Sequence, residues 1–416
     1  MKRVTTIIIG AGQSGLAMSH SLARQSVEHV ILERGRVANT WRTERWNSLR
    51  LLTPNWQSRL PGHEYHGTDP HGFRTLIETI RFFDDYARKT GAPIETLTTV
   101  LSVKRLRNGY RVQTDRGDWE CLCLVLANGA MTLPALPEVA ADRPSCLQSL
   151  AIPDYKRPCD IVGASVLIVG ASASGVQLAE ELALAGRNVF LSVGEHVRVP
   201  RRYRGHDILW LMNAAGYFDH SIADVDDLSR VRTLPSFQLV GSTTGRSVDL
   251  NRLQKLGVKI VGRLTAFRGG RALFSGNLHN VCRLADLKMQ RLLRTLDAWI
   301  DESLPQSRSL GGAFPNPTLV PDNPELVLDL KAAGIDSILW ATGLKPDYSF
   351  LDLPVFDARG RLMHDGGVVG APGVYVLGLP FMRTRKSSLI DGAADDAKAL
   401  AAHLVGYLND SRTQVA

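Results

Sequence analysis

Two glycine-spaced strings, Gly10-Ala11-Gly12-Gln13-Ser14-Gly15 and Gly170-Ala171-Ser172-Ala173-Ser174-Gly175, constrain this chain more than any other feature. Each follows an apolar, β-branched run, residues 5–9 and 166–169, and each precedes an amphipathic stretch, residues 16–25 and 176–184. That is a strand, a tight turn and a helix, the context in which such a string becomes a phosphate cradle. The first glycine permits the turn, the second lets backbone approach a pyrophosphate, and the third lets the helix lie close on the strand. Amides at the helix N-terminus then face the anion. A second strand, residues 29–32, ends at Glu33, a carboxylate placed to bond ribose hydroxyls. Gly10, Gly12, Gln13, Ser14, Gly15 and Glu33 are therefore the core of a first candidate dinucleotide site.

The second copy has a strand at residues 188–191, and Ser192 is read as standing in the place of Glu33. Without a carboxylate, a 2′-phosphate meets no like-charge repulsion there. Arg198, Arg201 and Arg202 lie just downstream to pair with it, which favours NADP over NAD. Ser172 carries a Cβ where backbone should come closest, so the grip on the pyrophosphate is expected to be looser. A looser grip suits a co-substrate that comes and goes; the intact first string suits a cofactor that stays.

Each unit then finishes alike. The first continues through a helix at 75–89, a strand at 98–105, a β-meander marked by Asn108-Gly109 and Arg116-Gly117, and a strand at 122–126 ending in Ala127-Asn128-Gly129. The second runs through a strand at 258–261, a hairpin across Gly269-Gly270, a helix at 278–303 and a strand at 337–341 ending in Ala341-Thr342-Gly343. A last strand, 374–377, the Asp391-Gly392 turn and a helix at 393–408 complete the first sheet most simply, making the middle unit an insertion. The expected fold is α/β with two Rossmann-like domains, the NADP domain inserted into the FAD domain. The expected boundaries are 1–158, 159–325 with an aromatic and helical elaboration near 203–305, and 326–416. Proline-rich stretches at 133–158 and 311–324 are the expected crossings.

Composition narrows the functions. The five cysteines are odd in number and widely spaced, which excludes a disulfide framework and a four-ligand zinc site and points to a reducing cytoplasm. No metal is expected. Lys2 and Arg3 precede an apolar run that Gly10 breaks early, and no run reaches the length of a membrane span, so neither export nor insertion is expected. The net charge of +8 rests on short basic clusters with no aromatic interleaving, so nucleic acid is not an expected partner. Cys121 and Cys123 alternate on one strand face instead of adopting the spacing of a redox dithiol.

At this point the chain resembles the two-dinucleotide-binding-domain flavoproteins, and among them the class B flavin-containing monooxygenase group. The residues that carry the resemblance are the two strings, Glu33, the stretch Thr40-Trp41-Arg42 with Trp46-Asn47-Ser48-Leu49-Arg50, and Ile338-Leu339-Trp340-Ala341-Thr342-Gly343. It implies FAD in the first site, with Arg34, Trp41, Arg42, Val100, Gly129, Gly378 and Asp391 as further contacts. It implies NADPH in the second, with Ser172, Ala173, Ser174, Ala341, Thr342 and Gly343. The family linker pattern FxGxxxHxxxY fails: anchored on Tyr155, it meets Ser145, Leu147 and Ala151 where Phe, Gly and His belong.

The resemblance implies oxygen insertion. NADPH would pass hydride to the flavin, O2 would add to the reduced ring, and the hydroperoxide would deliver one oxygen atom to a small-molecule sulfur or nitrogen centre or a ketone. Asn55, in Leu51-Leu52-Thr53-Pro54-Asn55-Trp56, is the candidate catalytic side chain, an amide able to bond the peroxide; a turn after proline is the competing role. Two alternatives stand beside it. One is a reductase passing electrons to a quinone or protein; the other is a redox-sensing regulatory subunit, with residues 383–388 as a docking face. A homodimer is an expected assembly. Residues Trp210, Met212, Tyr217, Phe218 and Phe237 either line a pocket or pack a core.

Overall fold

The computed structural model describes residues 1–310 and 314–413; the predicted crossing at 311–324 therefore lies partly outside the described residues. Two parallel sheets organise it. In the first, Lys2–Ile9 is flanked in parallel by His29–Leu32 and by Gly117–Leu126, in the register Ile9 to Leu32 and Ile9 to Leu126. Ile7 and Ile8 are fully buried, as the continuous β-branched run requires of a strand covered on both faces. The early half of Gly117–Leu126 pairs antiparallel with Tyr110–Thr114 to form the meander, and its late half pairs in parallel with Val374–Val376. The chain thus returns to its first sheet near its end, and the helix Ala393–Thr413 packs against Gln13–Ala23.

The second sheet has the order Lys259–Val261, Asn188–Ser192, Ser165–Val169, Ile335–Trp340, Gln148–Ala151, all parallel. The middle unit is inserted into the first. Its boundaries differ from the sequence reading: Ile335–Trp340 lies in the second sheet, so the unit does not end at 325. The strand leading into Ala341-Thr342-Gly343 forms the wall opposite the second string. Gln148–Ala151, unforeseen in the sequence, is an edge strand fixed by Ser337 Oγ donating to Gln148 Oε1 at 2.7 Å and Trp340 Nε1 donating to Ser149 Oγ at 2.9 Å.

Both passages between the units run side by side. Leu133–Pro134 and Leu344–Lys345 pair antiparallel, and Thr342 Oγ1 donates to Ala135 O. The long helix Leu278–Ser303 buries Leu278, Cys282, Ala285, Met289, Leu293, Leu296 and Ile300. That three-and-four spacing is one stripe, and it closes a cluster with Tyr203, Leu209, Met212 and Phe218. Met212 and Phe218 are therefore packing residues. No described helix is long and apolar enough to cross a membrane.

Candidate functional site

The two strings have nearly the same backbone. Gly10 and Gly170 sit at φ +105° and +107°, and a Cβ on either would stand 2.5 or 2.4 Å from the carbonyl oxygen of Ala127 or Ala341. Gly15 and Gly175 would drive a Cβ to 1.9 Å from Gly10 O or Gly170 O. Glycine is obligatory at these four positions because backbone fills the space. Gly12 differs: nothing stands within 4 Å of its missing Cβ, so the room there is left for something outside the chain. Ser172 occupies the matching place at φ −81° and ψ −169°, close to −87° and −170° at Gly12, and its hydroxyl caps no helix amide. The lost glycine costs the turn nothing, and the serine side chain occupies part of the open space.

Around the first cradle the structure gathers several predicted residues. Glu33 is 6% exposed, and its carboxylate accepts from Ala11 N at 2.8 Å and Gly35 N at 2.9 Å, fixing it beside the turn. Gly378, at φ +90°, lies so close that a Cβ would meet Ser14 Oγ at 2.3 Å, placing the end of Val374–Val376 against the start of the helix Gln13–Ala23. Gly129, at φ +92°, turns the chain just past Ala127, and Val100 begins a strand after Thr98, whose amide donates to Glu33 O. Asp391 is buried and paired with Arg59. Arg34 and Arg42 are engaged within the chain: Arg34 pairs with Glu44, while Arg42 binds Val37 O at 2.8 Å and Asp84 at 2.5 Å. Trp41 packs against Phe83 with Arg45 over its ring.

The second cradle corrects three expectations. Strand registers place Ser192 opposite Val169, as Leu32 stands opposite Ile9, so the residue matching Glu33 is the fully buried Val193. The reading was one residue out of step. Ser192 Oγ instead donates to Gly262 O at 3.0 Å and accepts from Leu264 N at 2.9 Å, holding the next strand connection. Arg198 is 3% exposed and bonded to Asp249 and Asp286, both at 2.6 Å. Arg201 is 1% exposed, bonded to Asp207 at 2.8 Å and Leu52 O at 2.7 Å, with its guanidinium 4.3 Å from the Phe73 ring centroid. Both are internal struts with no face turned to a ligand. Arg202 alone of the three is exposed.

A cleft of about 720 Å³ opens between residues 50–78 and residues 202–245, and Asn55 lines it. Gly241 presses into the facing loop, where a Cβ would reach Leu51 O at 2.0 Å, so these walls are in backbone contact. Trp210 lines the cleft, stacked on His206 at 4.8 Å. Asn55–Gln57 is a single 3-10 turn after Pro54, strapped by Asn55 N to Gly72 O and Trp56 N to Pro70 O. Asn55 Nδ2 donates to Asp69 O at 2.8 Å. Along this turn Asn55 Oδ1, Trp56 Nε1, both amide atoms of Gln57 and Ser58 Oγ are buried with no hydrogen-bond partner in the chain. A buried polar atom left unpaired costs roughly 1–3 kcal/mol. Five on four consecutive residues leave this turn with unmet hydrogen-bonding capacity, which a flavin's polar ring edge would fit. Gln57 and Ser58 were missed in the sequence, where the only sign is a run of hydrogen-bonding side chains directly after proline. Gln238 repeats the pattern beside the second cradle, its Nε2 donating to Ala171 O at 2.7 Å and its Oε1 unpaired.

Other groups at the junction are accounted for. Residues 383–388 do not form a free docking face: they pair with the chain's own 219–222, through Arg385 N to His220 O, Ile222 N to Arg383 O and Lys386 to Asp219 at 3.1 Å. Tyr155, the survivor of the failed linker pattern, is fully buried near Glu181. Burial raises the Glu181 carboxyl, and the hydroxyls of Ser48 and Tyr155 pull it part of the way back. Cys121 and Cys123 share a buried strand face, where burial pushes the Cys123 thiol up to about 12 and Cys121 higher still.

A family profile described as pyridine nucleotide-disulphide oxidoreductase matches residues 7–205. An uncharacterized oxidoreductase CzcO-like of Geobacillus kaustophilus is 28% identical over 407 residues, covering 97% of this chain and 99% of its own. Among solved structures, a flavin-containing monooxygenase from Stenotrophomonas maltophilia aligns with TM-score 0.67 at 18% identity, over 98% of this chain and 100% of the other. The bacillithiol disulfide reductase Bdr of Staphylococcus aureus aligns with TM-score 0.61 at 14% identity, over 98% and 99%. The chain thus has the fold shared by these flavoproteins, two parallel-sheet dinucleotide-binding units with one inserted in the other.

Proposed function

We propose that this chain is an FAD- and NADPH-dependent monooxygenase that places one oxygen atom from O2 on a small-molecule sulfur or nitrogen centre or a ketone. The first cradle, Gly10, Gly12, Gln13, Ser14 and Gly15 with Glu33 and Gly378, would hold FAD. The second, Gly170, Ser172, Ala173, Ser174 and Gly175 with Ala341, Thr342 and Gly343, would hold NADPH. FAD, when bound, supplies hydride acceptance and the activation of O2. The chain's own residues would bind and orient the two nucleotides and present a small-molecule cleft.

The observation that supports this reading is the Asn55–Ser58 turn, whose buried polar side-chain atoms lack partners in the chain and whose first residue, Asn55, lines the cleft. Amide and hydroxyl groups there would donate hydrogen bonds to, or accept them from, a polar group bound at the turn. A reductase acting on disulfides needs an accessible thiol pair; Cys121 and Cys123 are buried, held protonated and aligned on one strand face. Reduction of a quinone or protein partner, which needs no cysteine pair, is the second reading.

The deciding experiment is oxygen uptake by purified, FAD-loaded protein with NADPH. Uptake that rises when a sulfide, amine or ketone is added, with product formed in proportion, is the expected result. Dye or quinone reduction with no substrate-dependent oxygen uptake would overturn oxygenation in favour of the reductase.

A further inference from the structure

Five arginines of the middle unit are held by acids of the chain. Arg198, Arg201, Arg204, Arg246 and Arg252 each bond a carboxylate. Two arginines line the cleft, Arg202 from the middle unit and Arg50 from the first, and neither has an ion-pair partner among the described residues. Arg202 is exposed, stands with its Cδ 3.6 Å from where a Cβ on Gly245 would be, and makes no hydrogen bond or ion pair among the described residues. Arg50 gives one N–H to Phe73 O at 3.0 Å and leaves the rest of its guanidinium to the cleft. Asp69, Glu78 and Asp207 share the walls, and Glu78, whose carboxyl is held below the usual range first by its bonds to Thr75, lies near enough to Arg50 and Arg74 that their charges help. Asp207 is bonded to Arg201, and Glu78 caps its own helix through Thr75 at 2.8 and 2.9 Å. Asp69 lines the cleft next to Asn55, its backbone N–H donating to the Tyr65 hydroxyl and its carboxylate lying against Gly72. Ser242, Thr243 and Thr244 line the same cleft, and Trp210 adds an aromatic side chain to it.

Two guanidinium forks, a set of hydroxyls and one aromatic side chain are the complement of a small molecule that ends in an oxoanion. We propose that this cleft takes a carboxylate-bearing substrate, with Arg50 and Arg202 holding the carboxylate so that the oxidisable centre lies toward Asn55. This rests on the function proposed above. It moves Arg202 from the 2′-phosphate of the nucleotide, where its position in the sequence put it, to the substrate. The reasons are that Arg202 shares its cavity with Asn55, and that its two sequence neighbours in that role, Arg198 and Arg201, are internal.

The test uses FAD-loaded protein and two matched sulfides, phenylthioacetate and methyl phenyl sulfide. Their binding is read by titration calorimetry without NADPH, so that no turnover is needed. The expected result is at least tenfold tighter binding of phenylthioacetate, lost in both Arg202→Gln and Arg50→Gln, with methyl phenyl sulfide and NADP⁺ affinities within twofold of the parent. Equal affinity of the parent for both sulfides would overturn the proposal. So would a loss of NADP⁺ but not NAD⁺ affinity in Arg202→Gln with phenylthioacetate unaffected, which would return the arginine to the 2′-phosphate. A parallel loss for every ligand would mark the arginines as structural and overturn it too. Charge-dependent binding of phenylthioacetate with no substrate-dependent oxygen uptake would leave the subsite standing and sink only the oxygenation reading.

Discussion

Replacing Arg198 with methionine separates a structural arginine from a cofactor-binding one. The side chain is 3% exposed and bonds Asp249 and Asp286 at 2.6 Å each and Asn316 O at 2.9 Å. Asp286 also accepts from Thr318 N and Oγ1 at 2.7 and 3.0 Å, and Asp249 caps the helix Leu250–Lys255 through Arg252 N at 2.9 Å. Methionine fills much of the volume but leaves two half-satisfied carboxylates in a dry site. Breaking a buried pair in this way costs about 3–5 kcal/mol. For a unit of this size, roughly 2–4 °C is lost per kcal/mol, so the transition of the middle unit should fall by on the order of 10 °C. Differential scanning calorimetry measures the fall, and Asp249→Asn with Asp286→Asn added to Arg198→Met should restore part of it. NADP⁺ and NAD⁺ affinities, measured well below the transition, should keep the parent's ratio. A variant that melts within about 2 °C of the parent while losing NADP⁺ affinity alone would refute the reasoning.

Gly175→Ala puts a methyl group 1.9 Å from Gly170 O, so NADP⁺ binding should fall at least tenfold while the flavin absorbance per protein is kept; a concurrent loss of flavin would contradict the separation of the two cradles. Burial pushes Asp396 up to about 6, whereas an unfolded aspartate ionises near 3.9, so between those pH values the unfolded chain releases a proton that the native one keeps, and stability falls as pH rises. Asp396→Asn should therefore match the parent below pH 4 and exceed it above pH 6, by up to ~3 kcal/mol, in denaturant titrations; a pH-independent difference would show the carboxyl is not strained. Thiol titration of the native protein should find Cys146 and Cys159 fast, and Cys121, Cys123 and Cys282 only after unfolding; prompt reaction of a third thiol would reopen a thiol-based electron relay.

The strings at 10–15 and 170–175 were legible because their glycines are set by contacts within one strand, turn and helix. So was the helix Leu278–Ser303, whose apolar period needs no partner to be recognised. The arginine partners were not: Asp249 and Asp286 lie far along the chain from Arg198, and only the tertiary fold shows that the charge is already neutralised. Ser192 failed for a different reason. Side chains alternate along a strand, so a one-residue error in where Asn188–Ser192 ends turned an inward-bonded hydroxyl into an apparent ribose ligand. Gln148–Ala151 has little β-branched character and is a strand only because Ile335–Trp340 offers it an edge. The Asn55–Ser58 turn reads as an ordinary post-proline loop until burial shows that its polar atoms lack partners.

The pairing of Leu133–Pro134 with Leu344–Lys345 means that the middle unit leaves and rejoins the rest of the molecule through one narrow seam. A unit attached in that way is topologically a cassette: its sheet could be exchanged for another of similar span by splicing at two neighbouring points, without re-routing the strands on either side. A proteolytic nick in one strand of the seam would likewise leave the fragments held by the other.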